Sequence, residues 1–314
     1  MKAWLRLSGS LAILLAALYL LDWGAVRGAV QKISGPGLVW AFGITMLHFL
    51  VLGWRWNLIV QQAVPRPVLD HLGHYFLASF LNSFTPANLG GDLYRVLLLR
   101  TYAPDGKTVI IAVLRERYLG LLSYLLAAVF LLALVYLGKP AAVAGITPLL
   151  AYTGFAAAVG VIVLLAAPPL LRRLAGDLED SRWPLVARGV KMLCEACRIG
   201  SVARGALLLL YSLAGVALWV LAVKLVANDM ELPLGWPAIG STVVLTELLR
   251  MLPVTIQGIG LREATFAYLL GLLGSSPESG FVVGAVSYVI LTCALLACGV
   301  LGWILLQIKS HQNE

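Results

Sequence analysis

Six times in its 314 residues this chain runs through apolar sequence for about the length of a bilayer crossing, at 7–21, 38–60, 107–137, 147–167, 205–226 and 281–306. A crossing helix takes about 20 residues. Lipid offers no partner to backbone N–H and C=O groups, so such segments must close their hydrogen bonds within themselves, as helices. Composition agrees: 61% of residues are hydrophobic and 12% charged, against about 25% charged in soluble domains. The chain is therefore read as an all-α polytopic membrane protein, one integral membrane domain over 1–314 with about six full spans. The run at 7–21 follows Lys2 and Arg6, and no small-residue cleavage site closes it, so it reads as a retained first span. No long polar stretch is left for a soluble catalytic domain, and no enzyme activity is expected.

Two further apolar segments are too short to cross and end in matched breaks. Residues 71–84 run into Pro86, and 236–252 run into Pro253. Both breaks share the spacing Pro-x4-Gly-x3-Arg: Pro86, Gly91, Arg95 in the first and Pro253, Gly258, Arg262 in the second. Proline lacks the N–H a helix needs and clashes with the preceding turn, whereas Gly90, Gly91, Gly258 and Gly260 admit unwound backbone. Each break is followed by a helical pattern, which predicts helix N-termini near Gly91 and near Gly260. These are read as two re-entrant broken hairpins, 71–103 and 236–274.

The net charge of +8 lies mostly beside the spans. The excess of basic residues in cytoplasmic loops accounts for that placement, so nucleic acid is not an expected partner. Residues 168–204 carry seven basic side chains against four acidic ones and read as a basic cytoplasmic loop. Tracing the orientation puts both termini, 61–70 and 100–107 on the same side, and only Arg27, Lys32, Lys139 and Lys224 outside. The first broken hairpin then enters from the cytoplasm and the second from outside. Residues 1–140 and 145–314 become inverted halves, an arrangement that places a transporter's binding site near the midplane between discontinuous helices.

Arginine within a bilayer costs about 2.5–3.5 kcal/mol on insertion scales, so Arg95, Arg115, Arg117, Arg250 and Arg262 need acids or a wet cavity. The nearby acids are Asp92, Glu116, Glu247 and Glu263. Arg117 can pair with Glu116 or Asp92, and Arg250 with Glu247 at helical i, i+3 spacing. The alternative is that the arginine surplus, helped by two helix N-termini with free N–H donors, receives an anionic group. One of the acids is also a candidate proton carrier. Asn82, Asn88 and Gln257 are candidate headgroup ligands, whereas Ser83, Thr85 and Thr255 are read first as partners for backbone freed by the breaks. Trp54-Arg55-Trp56, and His71 with His74, read as interfacial anchors, with a titrating gate the alternative for the histidines. Cys194 and Cys197 have C-x-x-C spacing, but no second pair or nearby histidine completes a ligand set, so neither metal nor cofactor is expected.

The stretches Asn82–Arg95, Arg115-Glu116-Arg117 and Leu252–Glu263 resemble the lysylphosphatidylglycerol synthase transmembrane family, also described as flippase-like, and the resemblance covers essentially the whole chain. It implies a helical bundle with two re-entrant hairpins in a bacterial inner membrane. The implied role is movement of an anionic phospholipid, polyprenyl phosphate or related lipid between leaflets, with a lipid-biosynthetic enzyme as a possible partner. The aminoacyltransferase domain that some members carry has no counterpart before Glu314, so lysyl transfer is not expected. A small-anion transporter and a non-catalytic partner of a lipid-modifying enzyme are the alternative readings.

Overall fold

A computed structural model describes residues 19, 21–85, 89–103, 105–138, 147–179, 184–198, 200–251 and 258–310. Among the described residues the chain forms eleven α-helices and no strand. They are α1 (Trp23–Gln31), α2 (Gly35–Val60), α3 (Val68–Asn82), α4 (Gly90–Leu99), α5 (Gly106–Gly138), α6 (Thr147–Glu179), α7 (Pro184–Cys197), α8 (Val202–Asp229), α9 (Trp236–Arg250), α10 (Leu261–Leu272) and α11 (Pro277–Ser310). By length and apolar composition α2, α5, α6, α8 and α11 can each cross a membrane. These correspond to five of the six predicted spans, and the one at 7–21 falls almost wholly outside the described residues.

The bundle is built on the antiparallel pair α2 and α8, which is fastened at both ends. At the start of α2, Ser34 caps the helix through Gly37 N, and Asp229 at the end of α8 accepts from Ser34 N (3.0 Å) and Ser34 Oγ (2.7 Å). At the opposite end Arg204 Nη2 donates to Leu58 O at 2.6 Å. Between them Gly215 lets Leu52 pack against its backbone. Around this pair the short helices exchange partners: α3 packs on α11, and α9 packs on α5.

α3 and α9, of 15 residues each, span about 22 Å, less than the ~30 Å hydrocarbon core. Each is followed by a break and a second short helix. At the first break α4 lies directly on α3, since a Cβ at Gly91 would fall 1.9 Å from Ala78 O. At the second, Gly258 (φ 77°) and Gly260 (φ 78°) hold backbone conformations that L side chains rarely adopt. The predicted N-termini are observed at Gly90 and Leu261. Residues 86–88 and 252–257, and with them Pro86, Asn88, Pro253, Thr255 and Gln257, lie outside the described residues.

One expectation needs correction. The basic stretch 168–204 is mostly helix, not loop: α6 continues through Pro168 and Pro169 to Glu179, and α7 follows. Proline at 168 deprives Leu164 O of its helical donor, and Tyr118 Oη supplies one from α5 at 3.2 Å. α1 was also not anticipated; Asp22 caps it by accepting from Gly24 N at 2.8 Å.

Candidate functional site

Three helices bring one chain of alternating charges together. α4 presents Asp92 and Arg95 one helical turn apart, α5 presents Glu116 and Arg117, and α2 presents Arg55. Glu116 bridges Arg55 Nη2 (3.3 Å) and Arg95 Nη1 (2.5 Å). Asp92 bridges Arg95 Nη2 (2.7 Å) and Arg117, which it meets at Nε (2.8 Å) and Nη2 (2.7 Å). Arg55 Nη1 also donates to Ser212 on α8 at 2.8 Å. The Arg95 guanidinium lies 4.1 Å above the Trp56 ring, a cation–π contact strengthened by burial.

A second cluster is built on α9 and α10. Glu247 Oε2 pairs with Arg250, and its Oε1 accepts from Arg262 Nη2 and Trp219 Nε1, both at 3.3 Å. Arg262 is 1% exposed, its Nη1 has no hydrogen-bond partner, and its guanidinium lies 5.3 Å from the Tyr288 ring. Arg262 is thus held by one carboxylate where Arg95 is held by two.

Both clusters open onto one cavity of about 450 Å³. It is reached by His48 and Phe49 from the middle of α2, Leu291 and Leu295 from the middle of α11, and Tyr124 from the middle of α5. His48 Nδ1 donates to Gly215 O at 2.7 Å, which fixes the ring against α8. The two clusters together hold five guanidinium groups (Arg55, Arg95, Arg117, Arg250, Arg262) and three bridging carboxylates (Asp92, Glu116, Glu247). Among these ion-paired groups positive charge exceeds negative by two, and poor screening in the bundle makes that excess an attractor for an anion.

Residues 4–301 match the family described as the lysylphosphatidylglycerol synthase TM region. The chain belongs to this family. It is a multi-pass membrane protein, and the family connects it with membrane lipid. No curated protein and no solved structure gives a significant match.

In this member of the lysylphosphatidylglycerol synthase TM family the predicted site residues divide. Arg95, Arg117, Arg250, Asp92, Glu116 and Glu247 line the common cavity, and Arg262 backs it through Glu247. Arg115 does not join them. Its Nε donates to Ala196 O, and its Nη2 to Glu195 O and Arg198 O, so it ties α5 to the end of α7. Successive helical residues diverge by about 100°, which sends Arg115 away from Glu116.

The helix N-termini are not open donors in the way the sequence suggested. Gly91 N donates to Asn82 Oδ1 and Gly90 N to Thr85 Oγ1, each at 2.8 Å, and Gly260 N donates to Glu263 Oε2 at 2.8 Å. Asn82 lines the cavity but spends its carbonyl oxygen closing the first break, and Glu263 closes the second as a helix cap. Ser83 Oγ donates to Phe80 O, as the plainer role required.

Arg55 is buried in the first cluster, not anchored at an interface, and Trp56 is fully buried beneath Arg95. His71 and His74 are likewise buried, His71 Nδ1 lying 2.7 Å from Asn57 Oδ1 and His74 Nδ1 3.0 Å from Tyr94 Oη. His48 and Trp219 are cavity residues the sequence reading missed. A charge five residues inside the end of an apolar run was the available signal for Arg55; nothing comparable marks the other two. Among the described residues no group of three or more metal-ligating side chains occurs, and the four cysteines are free.

Proposed function

We propose that this protein translocates an anionic lipid between membrane leaflets, with the headgroup received in the central cavity. The observation that carries this reading is the single cavity shared by two arginine clusters with more guanidinium than carboxylate. A phosphate entering there takes over hydrogen bonds now made by Asp92 and Glu247, and planar guanidinium groups suit it bidentately. The flank of α4 supports the tails' staying in the bilayer, because Leu89, Leu93 and Leu97 are exposed beside the cavity residues Asp92 and Arg95.

The partner exchange of α3 with α11 and α9 with α5 supports inverted halves, 1–140 and 145–314, each lending its re-entrant hairpin to the other half. Alternating access then consists of one hairpin loosening while its counterpart tightens. On this reading Arg262, with one carboxylate, marks the looser side and Arg95, with two, the tighter. No chemistry on the lipid is assigned to the chain, and the basic ends of its helices face the cytoplasm of a bacterial inner membrane.

The test is reconstitution into vesicles carrying fluorescent phosphatidylglycerol or, separately, phosphatidylcholine, with translocation read by dithionite quenching. Wild type moves the anionic lipid faster, and Arg117→Gln and Arg250→Gln each slow it at least tenfold. Equal rates for both lipids, or undiminished transport in both folded variants, removes the headgroup role from the cavity. Uptake of inorganic phosphate in place of lipid establishes a small-anion transporter.

A further inference from the structure

Arg115, turned away from the central cavity, contributes to a second one. About 440 Å³ opens where the end of α2, the start of α5, the end of α7 and the start of α8 meet. It shares no lining residue with the central cavity. Three guanidinium groups face it from three elements, Arg115 on α5, Arg198 just beyond α7 and Arg204 on α8, with Glu195 the one carboxylate among its lining residues.

None of these three arginines forms an ion pair among the described residues. Arg115 is oriented by three carbonyl oxygens and Arg204 by one, while the Arg198 side chain makes no hydrogen bond. Two pre-oriented cations and an exposed, untethered third, converging with no carboxylate in ion-pair contact, form a receptor for a compact multivalent anion.

An adjoining groove of about 280 Å³ shares Gln62 and Arg204 with this cavity, has Asn57 and Gln61 on its polar side, and runs along Leu58 and Leu207 above the buried Leu208. At Arg204 the cationic site therefore adjoins a groove with a leucine wall, Leu58 and Leu207. Leu207 is exposed at the groove. That continuity selects an amphiphile over a free ion.

We infer that this is a second anionic-lipid site, separate from the translocation cavity: a phosphate group lies among Arg115, Arg198 and Arg204, and an acyl chain follows the groove along α8. The occupant bridges α5, α7 and α8 and clamps the amphipathic α7 against the bundle.

The full chain in mild detergent is titrated with dioctanoyl phosphatidic acid and, separately, with inorganic pyrophosphate, and bound molecules are counted by native mass spectrometry. Wild type, Arg198→Gln, Arg198→Gln/Arg204→Gln and the central-cavity variant Arg250→Gln are compared. Arg198 is exposed and makes no side-chain hydrogen bond, so its replacement leaves folding intact. One binding event weakens about tenfold in Arg198→Gln, the worth of one charge-assisted hydrogen bond. It weakens further in the double variant and persists in Arg250→Gln. Pyrophosphate binding with the same variant dependence still places phosphate in the site and shows the acyl chain to be dispensable. Phosphatidic acid binding that is unchanged in the double variant, or lost in Arg250→Gln alone, overturns the inference.

Discussion

Replacing Glu247 with glutamine isolates what a single carboxylate does for a fully buried arginine. Arg262 is 1% exposed, its Nη1 is unpartnered, and Glu247 at 3.3 Å is the one carboxylate in ion-pair contact with it among the described residues. Glu247→Gln keeps the shape of the side chain but strands that guanidinium in low dielectric, a loss of about 3–5 kcal/mol. The matched control is Asp92→Asn, because Arg95 keeps Glu116 at 2.5 Å and the other partner, Arg117, is 45% exposed. That change costs only ~1–2 kcal/mol. Adding Arg262→Gln to Glu247→Gln removes the stranded charge and restores part of the loss, since Glu247 matters most as the counterion of Arg262. Unfolding by SDS in mild detergent, followed by tryptophan fluorescence, ranks the four proteins. Wild-type behaviour of Glu247→Gln, or a double variant less stable than Glu247→Gln alone, refutes the account of the second cluster.

Two more predictions follow from local geometry. Gly91→Ala places a methyl group 1.9 Å from Ala78 O and destabilises by about 3 kcal/mol, the upper end for overpacking, whereas Gly43→Ala, in open space on α2, is neutral or slightly stabilising; size-exclusion yield and SDS unfolding midpoints distinguish them. Burial pushes the Cys197 thiol up, with Cys194 adding to the shift. Less of it is thiolate at pH 7, so in a variant lacking the other three cysteines maleimide labelling is slower than for a free thiol and accelerates as the pH is raised.

The helical class and the two breaks were legible because bilayer physics writes them in composition and in proline and glycine placement. The start of α4 at Gly90 and of α10 at Leu261 needed no tertiary information. The i, i+3 pair of Glu247 and Arg250 was also legible, since helical geometry alone brings them together. Arg115-Glu116-Arg117 was not. Three consecutive helical residues point in three directions, and only the packing of α5 decides that one meets α7, one the buried arginines and one Asp92. Arg55 between two tryptophans looked interfacial because an apolar run ends nearby, yet it faces the bundle, where Ser212 and Glu116 from neighbouring helices meet it. The backbone partners of Asn82 and Glu263 were not legible for the opposite reason: they lie a few residues away, in breaks whose turn geometry composition does not specify.

The packing of α3 on α11 bears on how the chain is made. α3 carries buried Asp70, His71 and His74 and is too short to sit in lipid alone, yet its main partner is α11, the last of the described helices. At ~5–20 residues per second, the interval between synthesis of the first hairpin and of α11 is roughly ten to forty seconds. Throughout that interval the hairpin must be sheltered by the insertion machinery or stay at the membrane surface. Biogenesis of this protein is thus a delayed closure, in which α11, made long after α3, locks an element that could not have settled before it.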